Sequence, residues 1–178
     1  QLLQFDQSSH CWKWDLARVE AQGYADNIVD LLLAKLLRLP QETRDILKLA
    51  ACLGNKGELS TLAFLCERPE CQMIEDLKAS IDQGLVLSQA GTYKFLHDRV
   101  QQAAYSLIPE QQRSKEHLRI GRLLLAHLSA QALEEKVFDI VNHLNLGRAL
   151  IDQPDERLHL AELNLLAGRK AKGNTAYN

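Results

Sequence analysis

Tyr93-Lys94-Phe95-Leu96-His97-Asp98-Arg99-Val100-Gln101-Gln102-Ala103-Ala104-Tyr105-Ser106-Leu107 changes its periodicity near the middle. Tyr93 and Phe95 alternate, as residues on one face of a strand do, whereas Val100, Ala103, Ala104 and Leu107 recur at helical spacing. The change falls at His97-Asp98. An aromatic strand therefore passes directly into a helix through an imidazole and a carboxylate. Both groups then sit at the first unpaired N–H groups of that helix, where the backbone dipole is positive. Phosphate also binds at such ends.

Working backwards, Leu85 to Ser88 and Thr92 to Leu96 read as two short strands joined by Gln89-Ala90-Gly91, a hairpin with glycine where positive φ is needed. Three short helices are predicted before it. The first is Gln41 to Leu53, with Ile46, Leu47, Ala50, Ala51 and Leu53 inward and Gly54 as its stop. The second runs from Ser60 through Cys66 on Leu62, Ala63 and Leu65. The third, Glu70 to about Gln83, follows Pro69, turns Met73, Ile74, Leu77 and Ile81 inward and stops at Gly84. Three helices and then a hairpin is the order of a winged-helix domain, which these signals place at residues 40–108 with Asp98 to Ile108 as its fourth helix. Residues 23–39 read as a lead helix capped by Asp26 or Asn27, with Ile28, Leu31, Leu32, Lys35 and Leu36 on one stripe. Residues 1–22 read as a Gln-rich linker. Its Trp12 and Trp14 would share one face of a strand, to plug a neighbouring domain or to pack on the lead helix.

From Pro109 to Asn178 only helical signals follow. Glu110 to Leu128 carries Leu118, Leu124, Leu125 and Leu128. Glu134 to Leu150 carries Val137, Phe138, Val141, Leu144 and Ala149, and Asp155 to Lys172 carries Leu158, Ala161, Leu165 and Leu166. Short loops make successive helices antiparallel neighbours. Small residues such as Gly121, Gly147, Ala161, Ala167 and Gly168 at the expected crossings point to packing of the tetratricopeptide kind over residues 109–178, without a strict recurring motif. The expected fold class is mainly α: a winged-helix domain with a small β-hairpin, then a TPR-like antiparallel helical layer.

Composition bounds the function. The 178 residues are 46% hydrophobic and 25% charged, with a formal net charge of −2, which suits a core-forming globular chain and supplies no global basic field for nucleic acid or an anionic membrane. The longest apolar run, Leu31 to Ala34, falls far short of the roughly twenty residues of a membrane span. No signal peptide is visible, so a cytoplasmic location with reduced thiols is the expectation. The chain begins at Gln1 and ends inside a helical pattern, and so reads as a piece of a longer protein. Cysteines 11, 52, 66 and 71 form no Cys-x-x-Cys pair.

Catalytic motifs are missing. No Gly-x-x-x-x-Gly-Lys-Ser/Thr loop occurs: Gly168 to Gly173 has the glycine spacing, but Asn174 stands where lysine is required. A nucleophile elbow, a His-Glu-x-x-His helix and a kinase loop are likewise absent. This segment is therefore not expected to be an enzyme and is expected to bind neither metal nor cofactor by itself. His143 reads as a core histidine, while His10, His117, His127 and His159 lack partners at metal spacing. DNA binding is disfavoured, because the third helix of the winged helix carries Glu70, Glu75, Asp76 and Asp82 against Lys78.

Phe95 to Glu110 resembles the segment that closes the winged-helix domain in the AAA-related signalling ATPases called STAND proteins. The likeness is greatest to the ATPase region of bacterial, often cyanobacterial, signalling proteins that join a serine/threonine kinase, that ATPase, a GAF domain and a histidine kinase. Trp12 to Leu16, Tyr24 to Leu31, Leu49 to Asn55 and Ala161 to Leu165 agree with the same group. The resemblance implies that His97 and Asp98, with Arg99 beside them, face the phosphates of ADP or ATP held by an upstream nucleotide-binding domain. In the wider class a Met-His-Asp motif at this junction lies against the β-phosphate of ADP and holds the closed state; here Leu96 replaces the methionine. The implied function is a non-catalytic relay segment of a multidomain signalling kinase, with a protein partner on its helical layer. The alternatives are an interaction scaffold without nucleotide contact and part of a transcriptional regulator.

Overall fold

The computed structural model describes residues 3–6, 11–14 and 24–174. The fold is mainly helical, with a small three-stranded antiparallel sheet. Within the first 22 residues, β1 (Leu3–Asp6) pairs antiparallel with β2 (Cys11–Trp14). His10 and the side chains of Trp12, Trp14, Asp26 and Asn27 lie outside the described residues.

Proline sets the punctuation. Pro40, Pro69 and Pro109 occupy the N-cap positions of α2 (Gln41–Leu53), α4 (Glu70–Asp82) and α6 (Glu110–His127), and Pro154 opens α8 (Pro154–Asn174). At a helix start the missing N–H costs nothing and the fixed φ already suits the turn. The remaining helices are α1 (Tyr24–Leu37), α3 (Leu59–Leu65), α5 (Asp98–Ser106) and α7 (Ala130–Leu146).

Strands β3 (Lys56–Glu58), β4 (Val86–Gln89) and β5 (Thr92–Phe95) form one sheet in the order β3-β5-β4. The central strand has its two aromatic rings inward: Tyr93 and Phe95 are buried and meet edge to face, and the Tyr93 hydroxyl donates to the Ala50 carbonyl at 3.0 Å. The β4–β5 turn is tighter than expected, with Gln89 and Thr92 paired and both Ala90 and Gly91 at positive φ. Strand β3 had no signal of its own, being three residues without alternation. It exists because β5 templates it and because Gly57 lets the Tyr93 ring lie against the backbone, where a Cβ would meet that ring at 2.8 Å.

Two cores result. One gathers Leu36, Leu47, Leu62, Met73, Leu77 and Phe95 with the inner face of α5; the other joins Leu118, Ile120, Val137, Ile140, Leu160 and Leu163 and reaches back to Leu65 of α3. In the second, Gly121 lies against Leu144 and Gly147 against Leu118, so α6 and α7 run antiparallel. Asn145 bonds Asn164, and Lys170 bonds the Glu134 carbonyl, so α7 and α8 do the same.

Several inward assignments shift. Ile28 and Leu31 on α1, Ile74 on α4 and Phe138 on α7 are exposed, whereas Leu32, Leu33 and Leu36, with Leu39 just past the helix, pack against the core. On α8 the face is reversed: Leu160, Leu163 and Ala167 are buried, while Leu158, Ala161 and Leu165 are exposed. Apolar residues stand on both sides of that helix, so spacing alone cannot choose between them. Helix α7 also starts earlier than expected, because the Ser129 hydroxyl accepts from Ala132 N–H, and it ends at Gly147. A short 3₁₀ helix, Arg148–Leu150, follows, and Ala149 in it is exposed.

Candidate functional site

The strand-to-helix junction lies at the surface. Phe95 anchors the end of β5, Leu96 N–H bonds the Leu85 carbonyl, and α5 starts at the following Asp98. His97, with extended backbone at φ −148° and ψ 146°, is the N-cap. The capping group is the His97 ring rather than the Asp98 carboxylate: Nδ1 accepts from Arg99 N–H at 3.1 Å. This bond fixes the tautomer of the neutral ring, since an Nδ1 that accepts must leave the proton on Nε2. Nε2–H is thus a donor on an exposed side chain, flanked by exposed Asp98 and Arg99. The Arg99 guanidinium donates onward along the helix to Gln102 Oε1 at 3.2 Å. The ring is open to an incoming group rather than sealed inside its own core.

A second constellation was missed. His117 on α6 and His143 on α7 are both buried, and their Nδ1 atoms lie 2.8 Å apart. The Tyr105 hydroxyl of α5 bonds His117 Nε2 at 3.0 Å. His117 therefore has a hydrogen-bond partner that chain spacing did not indicate, because the α6–α7 crossing brings together residues 26 positions apart in the chain. Burial pushes the His143 pKa down to about 4, aided by the neighbouring His117, and lowers that of His117 too. His143 lines a cleft of about 220 Å³ together with Lys56, Glu58, Lys136 and Asp139. Across it, Lys136 of α7 pairs with Glu58 of β3 at 2.9 Å.

His127 stacks on Phe64 with ring centroids 3.9 Å apart. Burial pushes the Cys52 and Cys66 thiols up to about 12 and about 11, far from the thiolate a nucleophile or metal ligand needs. Among the described residues no group of three His, Cys, Asp or Glu is placed to hold a metal ion, and no helix is long and apolar enough to cross a membrane. On α4, Glu70, Glu75 and Asp82 are exposed, while Asp76 pairs with Arg68 at 3.0 Å.

Comparison with known proteins gives one relative. The chain is 28% identical over an alignment of 230 residues to the hybrid signal transduction histidine kinase G of Dictyostelium discoideum. The match takes in 99% of this chain and 7% of that kinase, so the chain spans a small part of the relative's length. No family model and no solved structure matches.

Proposed function

We propose that this chain is a non-catalytic regulatory segment of a multidomain signal-transduction kinase of the STAND ATPase type. In this reading residues 40–108 form the winged helix, residues 109–178 form a TPR-like relay layer, and the parent protein works in the cytoplasm. His97, Asp98 and Arg99 face the phosphates of ADP or ATP bound by an upstream domain of the same chain. The closed, ADP-bound arrangement is held there, and exchange for ATP releases it. Such a switch requires ADP and ATP forms that differ in their contacts with this segment. The observation that carries the reading is the His97 ring: exposed, at a helix N-terminus, with Nδ1 engaged by Arg99 N–H and Nε2–H left as a donor. The similarity to a signal transduction histidine kinase supports a signalling role.

The test uses the longer protein with its nucleotide-binding domain. His97→Asn keeps a capping side chain and removes the imidazole; His97→Ala removes both, at a stability cost of about 1 kcal/mol. Both variants are expected to lose co-purifying ADP at least about tenfold faster than the parent, the loss of one charge-assisted hydrogen bond. Unchanged ADP retention in both would refute the sensor. A scaffold is the second reading, favoured by the outward Leu158 and Leu165 of α8, which are 63% and 56% exposed. It predicts that nucleotide retention is indifferent to His97.

A further inference from the structure

The Tyr105–His117–His143 chain crosses three elements in sequence, from α5 through α6 to α7. It links the sheet-bearing half of the molecule to the helical layer by two polar bonds, the His117–His143 one buried and the Tyr105–His117 one partly so. A bond between two Nδ1 atoms needs one ring to donate and the other to accept, so the chain has two arrangements. In one, Tyr105 O–H donates to His117 Nε2, His117 Nδ1–H donates to His143 Nδ1, and His143 carries its single N–H on Nε2. In the other every bond runs backwards, and His143 Nε2 holds a lone pair. His143 is the member that lines the cleft, so a proton enters the chain at its Nε2.

We propose that Tyr105, His117 and His143 are a proton-sensitive latch between the sheet-bearing half and the helical layer, loaded through the cleft beside β3 and α7. Only the backward arrangement leaves His143 Nε2 free, so a proton added there holds that arrangement, with Tyr105 as acceptor. A proton on each ring sets N–H against N–H across 2.8 Å, and the bond between α6 and α7 is lost. The surroundings oppose that charge unless the layer opens. Around the chain are the Cys52 thiol, which stays neutral; Arg113, whose guanidinium lies 4.9 Å over the Tyr105 ring; and Glu116 on α6, whose charge partly offsets the desolvation of His117. The cleft adds Lys56 and Asp139 besides the Glu58–Lys136 pair. The Lys136 ammonium holds the Glu58 carboxyl below its ordinary range, so that pair stays charged throughout mildly acidic pH.

Opening returns both rings to water and to an ordinary pKa near 6.5. Both are depressed when closed, so closure is fully favoured above about pH 6.5 and weakens as pH falls below it, for His143 down to about 4. Between those limits each ring that titrates only in the opened state multiplies the opened population by up to about ten per pH unit. This device is independent of any nucleotide contact at His97.

The test is amide hydrogen exchange of the 178-residue chain between pH 6.5 and 5, corrected for intrinsic rates, with ring titrations followed by nitrogen-15 NMR. Expected is a loss of protection of about tenfold or more per pH unit across residues 117–146, with less than twofold at Ile46 to Ala51, and both rings titrating below the ordinary value of about 6.5. His143→Asn should flatten the slope below twofold. Should that variant not fold, the wild-type titration decides alone. Either ring titrating at or above 6.5 in the folded chain, or equal loss of protection in both halves, would overturn the latch.

Discussion

Phe95→Ala is expected to lower the unfolding free energy by about 4 kcal/mol, read from the urea midpoint with an unchanged slope. Its ring is fully buried on the central strand, edge-on to Tyr93, while its N–H bonds the Asn55 carbonyl and its partner in β4 is Val86. Removing it leaves a cavity in a core whose nearest strand neighbours, Tyr93 and Val86, are held by the sheet and cannot collapse into it. The transfer and cavity contributions therefore add. Phe95 also fixes the strand end two residues before His97, so the loss should appear first as broadened signals from residues 96–99. A change below about 1 kcal/mol would mean that the sheet is a passive appendage to the helices.

Legibility of the sequence followed the locality of each signal. Pro40, Pro69 and Pro109 act on their own neighbours, and Gly54, Gly84 and Gly91 take the positive φ that stops a helix or makes a turn. Those boundaries could be read directly. The junction at His97 was equally local, because a strand period gives way to a helical one within two residues. What stayed hidden depends on contacts distant in sequence. Strand β3 exists only through β5, the face of α8 is chosen by what α7 presents, and His117 meets His143 across a crossing that no spacing rule encodes. At the candidate site, position and exposure were legible in principle, but the identity of the cap was not. Asp98 is the better capping residue by general preference, yet it is the extended backbone of His97 that turns the imidazole Nδ1 onto Arg99 N–H.

Gly147→Ala is expected to cost about 3 kcal/mol, toward the upper range for overpacking, and to act on the helical layer before the sheet-bearing half. Backbone strain is not the reason, since Gly147 sits at φ −100° and ψ 1°, which alanine tolerates. The obstacle is fixed matter. A Cβ there would lie 2.5 Å from Leu118 Cβ, 2.8 Å from the Ser114 carbonyl oxygen and 3.0 Å from Leu118 Cα. None of these atoms can swing away, so α6 and α7 must separate, and that separation also stretches the His117–His143 bond. Gly121 faces the Leu144 side chain at 2.7 Å, and a rotamer change could relieve part of that clash. Gly168 supplies the opposite sign within the same layer: it is exposed, inside α8, with nothing within 4 Å of an added Cβ. Gly168→Ala should therefore stabilise by up to about 1 kcal/mol through helix propensity alone. Urea melts of the two variants side by side separate packing from propensity. Equal effects would show that the close approach of α6 and α7 does not hold the layer together.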